Sequence, residues 1–261
     1  MFRNCFCVKH TSLCFVDPLL TFGQLAASYP RHNKLIFDKR PLSWFPLYPS
    51  PPLAGLVADL MADGHLQGPQ KWRLDYCSNS LAELNRFENV LNCLFGLKGK
   101  IRDCPTNKYG TKNYGVNCRP LAKTLFLIGV PYGNKVLKDY QVPAWVISDK
   151  TCFASFCRRY FDCEAGVDVK GRAISIELHK STKLIRSSNV FLGQIRGGLL
   201  DYFGIKATRP FQLSLKIKRK CGAVVQGTRM KIKGKENLAK FYRSIKFDNP
   251  RKMQNLASAI T

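Results

Sequence analysis

A chain of 261 residues, 45% hydrophobic and 23% charged, suits one large domain or two small ones and has an ordinary globular composition. Its 42 lysines and arginines against 17 acids give a formal charge of +25, a field that favours a polyanion, nucleic acid before an anionic membrane. No apolar run reaches the roughly 18 residues of a spanning helix, and Arg3, Lys9, His10 and Asp17 interrupt the apolar stretch a signal peptide would need, so the reading is an intracellular protein, cytoplasmic or organellar, with no membrane role.

Eleven cysteines, an odd number in a chain of this size without a secretion signal, speak against a disulfide framework. Cys5-x-Cys7 and the Cys104/Cys118 pair do not make the four convergent ligands of a structural zinc site. Most of these thiols are expected as small buried hydrophobes.

In chain order, residues 1–50 show no amphipathic period and end in the proline-rich PLSWFPLYPSPP, which predicts an irregular, poorly ordered leader that the rest can do without. From residue 53 the chain is written twice. An apolar helix over residues 53–62 ends in Asp63-Gly64, and a second over 152–163 ends in Glu164-Ala165-Gly166, an offset of 101 residues. A strand-prone stretch follows each, KWRLDYC at 71–77 and RAISIEL at 172–178. Next comes a helix with Leu81, Leu84, Phe87, Leu91 and Leu94 on one face, opened by a Ser80/Glu83 capping box; its counterpart carries Phe191, Ile195, Leu199 and Phe203. Both stop alike, at Phe95-Gly96-Leu97-Lys98 and Phe203-Gly204-Ile205-Lys206. Self-similarity at about a hundred residues indicates a duplicated α+β module. The division expected is a leader at 1–50, a first module at 51–140, a linker at 141–148 and a second module at 149–261.

The last part of each half is basic. Residues 206–252 hold 15 lysines and arginines against Glu236 and Asp248. Within 212–220, Leu213, Leu215 and Ile217 alternate with Ser214, Lys216 and Lys218, and Met230 and Ile232 alternate with Lys231 and Lys233, so these strands have one apolar and one basic face. A basic β-ribbon can lie in the major groove, holding phosphates with lysines and reading base edges.

The stretch LAGLVADLMADGHL at 53–66 resembles the first motif of the LAGLIDADG homing endonucleases, its closing Asp-Gly being Asp63-Gly64. The second copy, FCRRYFDCEAGV at 156–167, is similar to that family's F-x-R-x-x-F-D-x-E-x-G form, and VPAWV at 142–146 matches its V-P-x-W lead-in. The resemblance covers about residues 53–256. It implies an α+β fold of two pseudo-symmetric modules of αββαββα type, with saddle-shaped antiparallel sheets over DNA and the two motif helices packed at the centre. Gly55, Ala58 and Ala62 offer the small face such packing needs on the first helix; the second offers Ser155 and Cys163, with Arg159 where the family has a small residue and therefore expected to turn outward.

The implied activity is a site-specific double-strand cut by a monomer, dependent on Mg²⁺ (or Mn²⁺). Asp63 and Glu164 match the family's metal ligands. Lys135, in Pro131-Tyr132-Gly133-Asn134-Lys135, and Lys252 match its active-centre lysines, while Asp59, Asp162, His65 and His179 take secondary places. A carboxylate at the negative end of a helix dipole suggests a compensating cation, which the metal would supply. The implied partner is double-stranded DNA. Candidate contacts in the first half are Lys71, Arg73 and Lys112; in the second they are Arg172, Lys216, Lys218, Arg229, Lys231 and Lys233. An intron RNA maturase or a binding-only regulator on the same fold is the alternative, and no splicing blocks suggest an intein.

Overall fold

Pro51 and Pro52 open the first long helix, where a missing N–H costs nothing. In the computed structural model, which describes residues 17–29, 43–69, 71–104, 110–219 and 221–261, a short α1 (Phe22–Ala27) precedes this helix, α2 (Pro51–Met61). There follow β1 (Gly64–Leu66), β2 (Leu74–Ser78), α3 (Leu81–Phe95), β3 (Lys100–Asp103), β4 (Lys112–Val116) and α4 (Arg119–Leu127). After α5 (Ala144–Ile147) the pattern returns: α6 (Lys150–Glu164), β5 (Ala165–Asp168), β6 (Ala173–Ser181), α7 (Ile185–Phe203), β7 (Phe211–Lys218), β8 (Val224–Lys233), α8 (Lys235–Ser244) and α9 (Pro250–Ile260). Each module builds a four-stranded antiparallel sheet, in the orders β1-β2-β4-β3 and β5-β6-β8-β7. The fold is therefore α+β, two modules repeating one topology, as the duplicated sequence required.

The two motif helices pack on each other, and glycine permits the approach. A Cβ on Gly55 would sit 3.1 Å from Ser155 Oγ and 3.2 Å from Arg159 Cγ, tighter than ordinary van der Waals contact. Ser155 Oγ donates to the Pro51 carbonyl at 2.6 Å, tying the start of α2 to α6. Every residue of α2 from Leu53 to Met61 is buried, which explains its nearly unbroken apolar sequence. Gly96 (φ 63°) and Gly204 (φ 61°) end α3 and α7 in the left-handed conformation, where an L side chain is strained. The Ser80 hydroxyl accepts from Glu83 N–H as expected, but the Glu83 carboxylate goes to Arg86 and Arg159, so only half of the capping box forms.

The segment before residue 51, where it is described, packs on the rest of the chain, unlike the irregular, poorly ordered leader expected. Among its described residues, Leu20, Leu25, Trp44 and Leu47 belong to the common core, and Leu20 and Leu47 form an antiparallel bridge. Trp44 Nε1 donates to the Phe95 carbonyl at 2.9 Å and its ring meets Phe95 edge-on. These apolar residues show no common period because they come from separate short pieces: Leu25 from α1, Leu20 and Leu47 from a bridge, and Trp44 from a turn set against the end of α3. Trp44→Ala is expected to cost about 3–5 kcal/mol in urea unfolding; a loss under about 1 kcal/mol would make the segment a mere appendage. Residues 1–16 and 30–42, Cys5 and Cys7 among them, lie outside the described residues.

The linker is likewise anchored. Trp145 Nε1 donates to Ile128 O in the first module, while Val142 N and Ile147 O bond Gln194 and Tyr202 of the second. No disulfide joins the described cysteines, and no described helix is long and apolar enough to cross a membrane.

Candidate active site

The end of an α-helix leaves carbonyls without partners. Here both motif helices meet that need with a lysine from far along the chain. Lys135 Nζ donates to Met61 O at 3.0 Å and Gly64 O at 2.8 Å, and also to the carbonyls of Leu60 and Ala62. Lys252 Nζ donates to Asp162 O at 2.5 Å and Phe161 O at 3.4 Å. The two lysines singled out in the sequence thus occupy equivalent places. This corrects one expectation: the cation facing each negative helix end is an ammonium, so the dipole by itself gives no reason for a metal.

Asp63 follows α2 and Glu164 closes α6, and the packing of those helices brings the carboxylates together. Burial, and then the charge of Asp63, push the Glu164 carboxyl up to about 7 against the pull of Lys135 and Lys252. Both lysines are pushed below the usual amine range, chiefly by burial. Asp63, Cys163, Lys252, Glu83, Arg159 and Asp162 line one cleft at the helix ends. Among the described residues no group of three or more His, Cys, Asp or Glu could hold a metal, so Asp63 and Glu164 stand as a pair of acids.

Arg159 turns inward, contrary to expectation. It is 4% exposed and binds four acids: Asp59 (3.0 Å), Glu83 (2.6 Å), Asp162 (2.9 Å) and Asp248 (3.1 Å). Arg86 adds a second guanidinium on Asp59 at 2.8 Å. Burial pushes the Asp59 carboxyl up against both arginines. Asp162 also accepts the backbone N–H groups of Asp248 and Asn249, and burial moves it to about 6. Asp59 and Asp162 therefore serve the contact between modules. His65 lies in β1 opposite Asp75, and burial lowers its pKa; His179 sits beside Glu177 on β6.

Strand register sorts the basic candidates by face. In the second sheet Arg229 pairs with Glu177, Lys231 with Ser175 and Lys233 with Ala173, on the face turned from the helices. Lys216 pairs with Gln226 and Lys218 with Val224, on the side of Thr228 and Met230 that the helices cover elsewhere. The sequence alternation is real, yet Lys216 and Lys218 stand on the opposite face from Arg229 and Lys231, and exposed Phe211 and Ile217 take the outer face.

In the first sheet Arg73 is on the outer face, held to Asp75 by its Nε at 2.8 Å; Lys112 is on the inner one, held to Asp103 at 2.6 Å. Lys71 borders a groove with His65 and Gln67, and Arg172 stands at φ 44° just before β6. Lys100 and Arg102, opposite Gly115 and Asn113, extend the outer face. The sequence reading missed them, although the alternation in KIRD was the available signal.

No family model and no curated protein matches this sequence. Among solved structures the chain is similar to full-length DUF199/WhiA from Thermatoga maritima, at 16% identity over 80% of this chain and 59% of that one (TM-score 0.49). It thus spans about three-fifths of that protein's length. It is similar to mesophilic variants of the homing endonuclease I-DmoI, at 14% identity over 79% of this chain and 97% of that one (TM-score 0.49). It is also similar to the homing endonuclease I-WcaI bound to its DNA recognition sequence, at 11% identity over 90% and 95% of the two chains (TM-score 0.47).

Proposed function

We propose that the protein binds double-stranded DNA across the outer faces of its two sheets and, as a site-specific monomer, hydrolyses a phosphodiester in each strand. The observation that carries this reading is the pairing of Asp63 and Glu164 at the ends of two packed helices, each end capped by a lysine. The net charge of +25 and the outer-face residues Arg73, Lys100, Arg102, Arg229 and Lys231 supply the attraction to phosphate.

A like-charge pair of carboxylates, exposed Asp63 beside half-buried Glu164, fits a hard divalent cation such as Mg²⁺ or Mn²⁺, whose remaining ligands would be solvent, backbone and phosphate oxygens. When bound, such an ion supplies charge neutralisation and a more acidic water. Asp63 and Glu164 would hold it. Lys135 and Lys252 fix the helix ends and set positive charge beside Glu164. Incubation with a randomised duplex library in Mg²⁺, with Ca²⁺ and chelator controls, tests the reading. Recovery of double-strand breaks at one sequence supports it; retention of duplex without cutting would leave a binding protein, and RNA-dependent splicing a maturase.

The sheet faces make a separate prediction. Arg102→Glu with Lys231→Glu is expected to weaken binding to every duplex and to flatten the plot of log affinity against log salt by about 0.9 per lost phosphate contact. Lys216→Glu with Lys218→Glu should change it less, since those side chains leave from the other face. Fluorescence anisotropy in Ca²⁺ over a salt series measures both; equal losses would mean that the duplex contacts both faces.

A further inference from the structure

Lys180 has no exposed surface. It lies on the inner face of β6 beside Ile176 and Leu178, a costly place for an amine unless its donors are met. All its side-chain partners come from the end of the first module, residues 135–140. Nζ donates to Lys135 O at 2.8 Å and Lys138 O at 2.6 Å, and stands 3.4 Å from the centroid of the Tyr140 ring. Burial pushes the amine down to about 7, and a lysine donates in either protonation state.

The two active-centre lysines are held in different ways. Lys252 sits in the first turn of the eleven-residue α9, where the Asn249 side chain accepts its N–H at 3.2 Å. Lys135 opens a 3₁₀ turn of three residues, Lys135–Leu137, which offers little to fix its direction. β6 runs for nine residues where β2 runs for five, and Lys180 falls in the added length.

We propose that Lys180 is a positioning residue: by gripping the carbonyls of Lys135 and Lys138 it aims the Lys135 ammonium at the end of α2, so that the second module sets the geometry of the first module's centre. The assignment rests on the cleavage reading above. Lys135 and Lys252 then serve one strand each, and the loss of Lys180 touches only the strand that depends on Lys135. Misplacing a reacting group by about 1 Å costs on the order of 10²-fold in rate.

The full chain and its Lys180→Met, Lys135→Met and Lys252→Met variants would be assayed on supercoiled plasmid carrying a site recovered from the library, with strand-specific end labels. Lys180→Met is expected to accumulate nicked circles, uncut in the same strand as with Lys135→Met and in the opposite strand to Lys252→Met. Duplex affinity in Ca²⁺ should hold within about twofold, as expected where no phosphate contact is lost. Equal slowing of both strands, the signature of a merely structural role, or normal cutting of both, overturns the assignment. If Lys180→Met does not fold, Tyr140→Leu, which removes the ring under the ammonium and its edge contact with Phe191 but keeps an apolar side chain there, is read in the same way. A parent protein that binds the site without cutting it removes the cleavage reading first, and this assignment with it.

Discussion

Asp63→Asn and Glu164→Gln are each expected to lower cleavage by at least about 10²–10³-fold, the scale of losing one charge-stabilising group, while duplex affinity in Ca²⁺ stays near that of the parent. The carboxylates lie at the helix ends, apart from the basic outer faces, so removing one takes away no phosphate contact. Quantified cutting of the recovered site and anisotropy on the same duplex check the two halves; a variant that cuts both strands at the parent rate would show the active centre to be elsewhere.

Glu164 adds a stability test with a definite sign. Its carboxyl is raised from 4.5 to about 7 in the folded chain. The protonated form therefore contributes stability that is fully present below about 4.5 and is lost as pH rises through about 7. Glutamine cannot ionise. Without divalent metal, Glu164→Gln should melt above the parent at pH 8 and match it near pH 4. Added Mg²⁺ or Mn²⁺ should raise the melting temperature of the parent more than that of the variant, as ligand linkage requires.

The second large effect is expected at Arg159. Among the described residues Arg159 alone joins Asp59, Glu83, Asp162 and Asp248, and Arg159→Met leaves buried Asp59 with Arg86 as its described ion-pair partner. Taking one partner from a buried ionic network costs about 3–5 kcal/mol, roughly 10 °C in melting temperature for a chain of this size. Replacing Asp59 by leucine in the same background should recover part of the loss, because an apolar pair is often as stable as a buried ionic one. A drop of under about 1 kcal/mol for Arg159→Met would mean that the network contributes little to joining the modules.

The duplicated motif helices, the glycine stops at Gly96 and Gly204 and the alternating strands were all legible, because each depends on residues within a few positions of one another. From these the two-module α+β fold follows, and with it the meeting of Asp63 and Glu164. Arg159 was misjudged because its partners lie on α2, on α3 and near residue 248, and only packing brings them around one guanidinium.

For β7 the sequence determined that lysines and apolar residues take opposite faces, but not which face looks outward. The strand is an exposed edge with neither face buried, so pattern alone has no core to point to, and the pairing with β8 decided. In the same way, composition marked residues 1–50 as irregular, while packing against the end of α3 made Trp44 a core residue. What the sequence by itself determined was the repeat, its elements and the acids at their ends, since local periodicity and backbone sterics act along the chain. The caps supplied by Lys135 and Lys252, the grip of Lys180 and the inward turn of Arg159 were decided only by tertiary structure, because a buried charge takes whichever partners packing delivers to it.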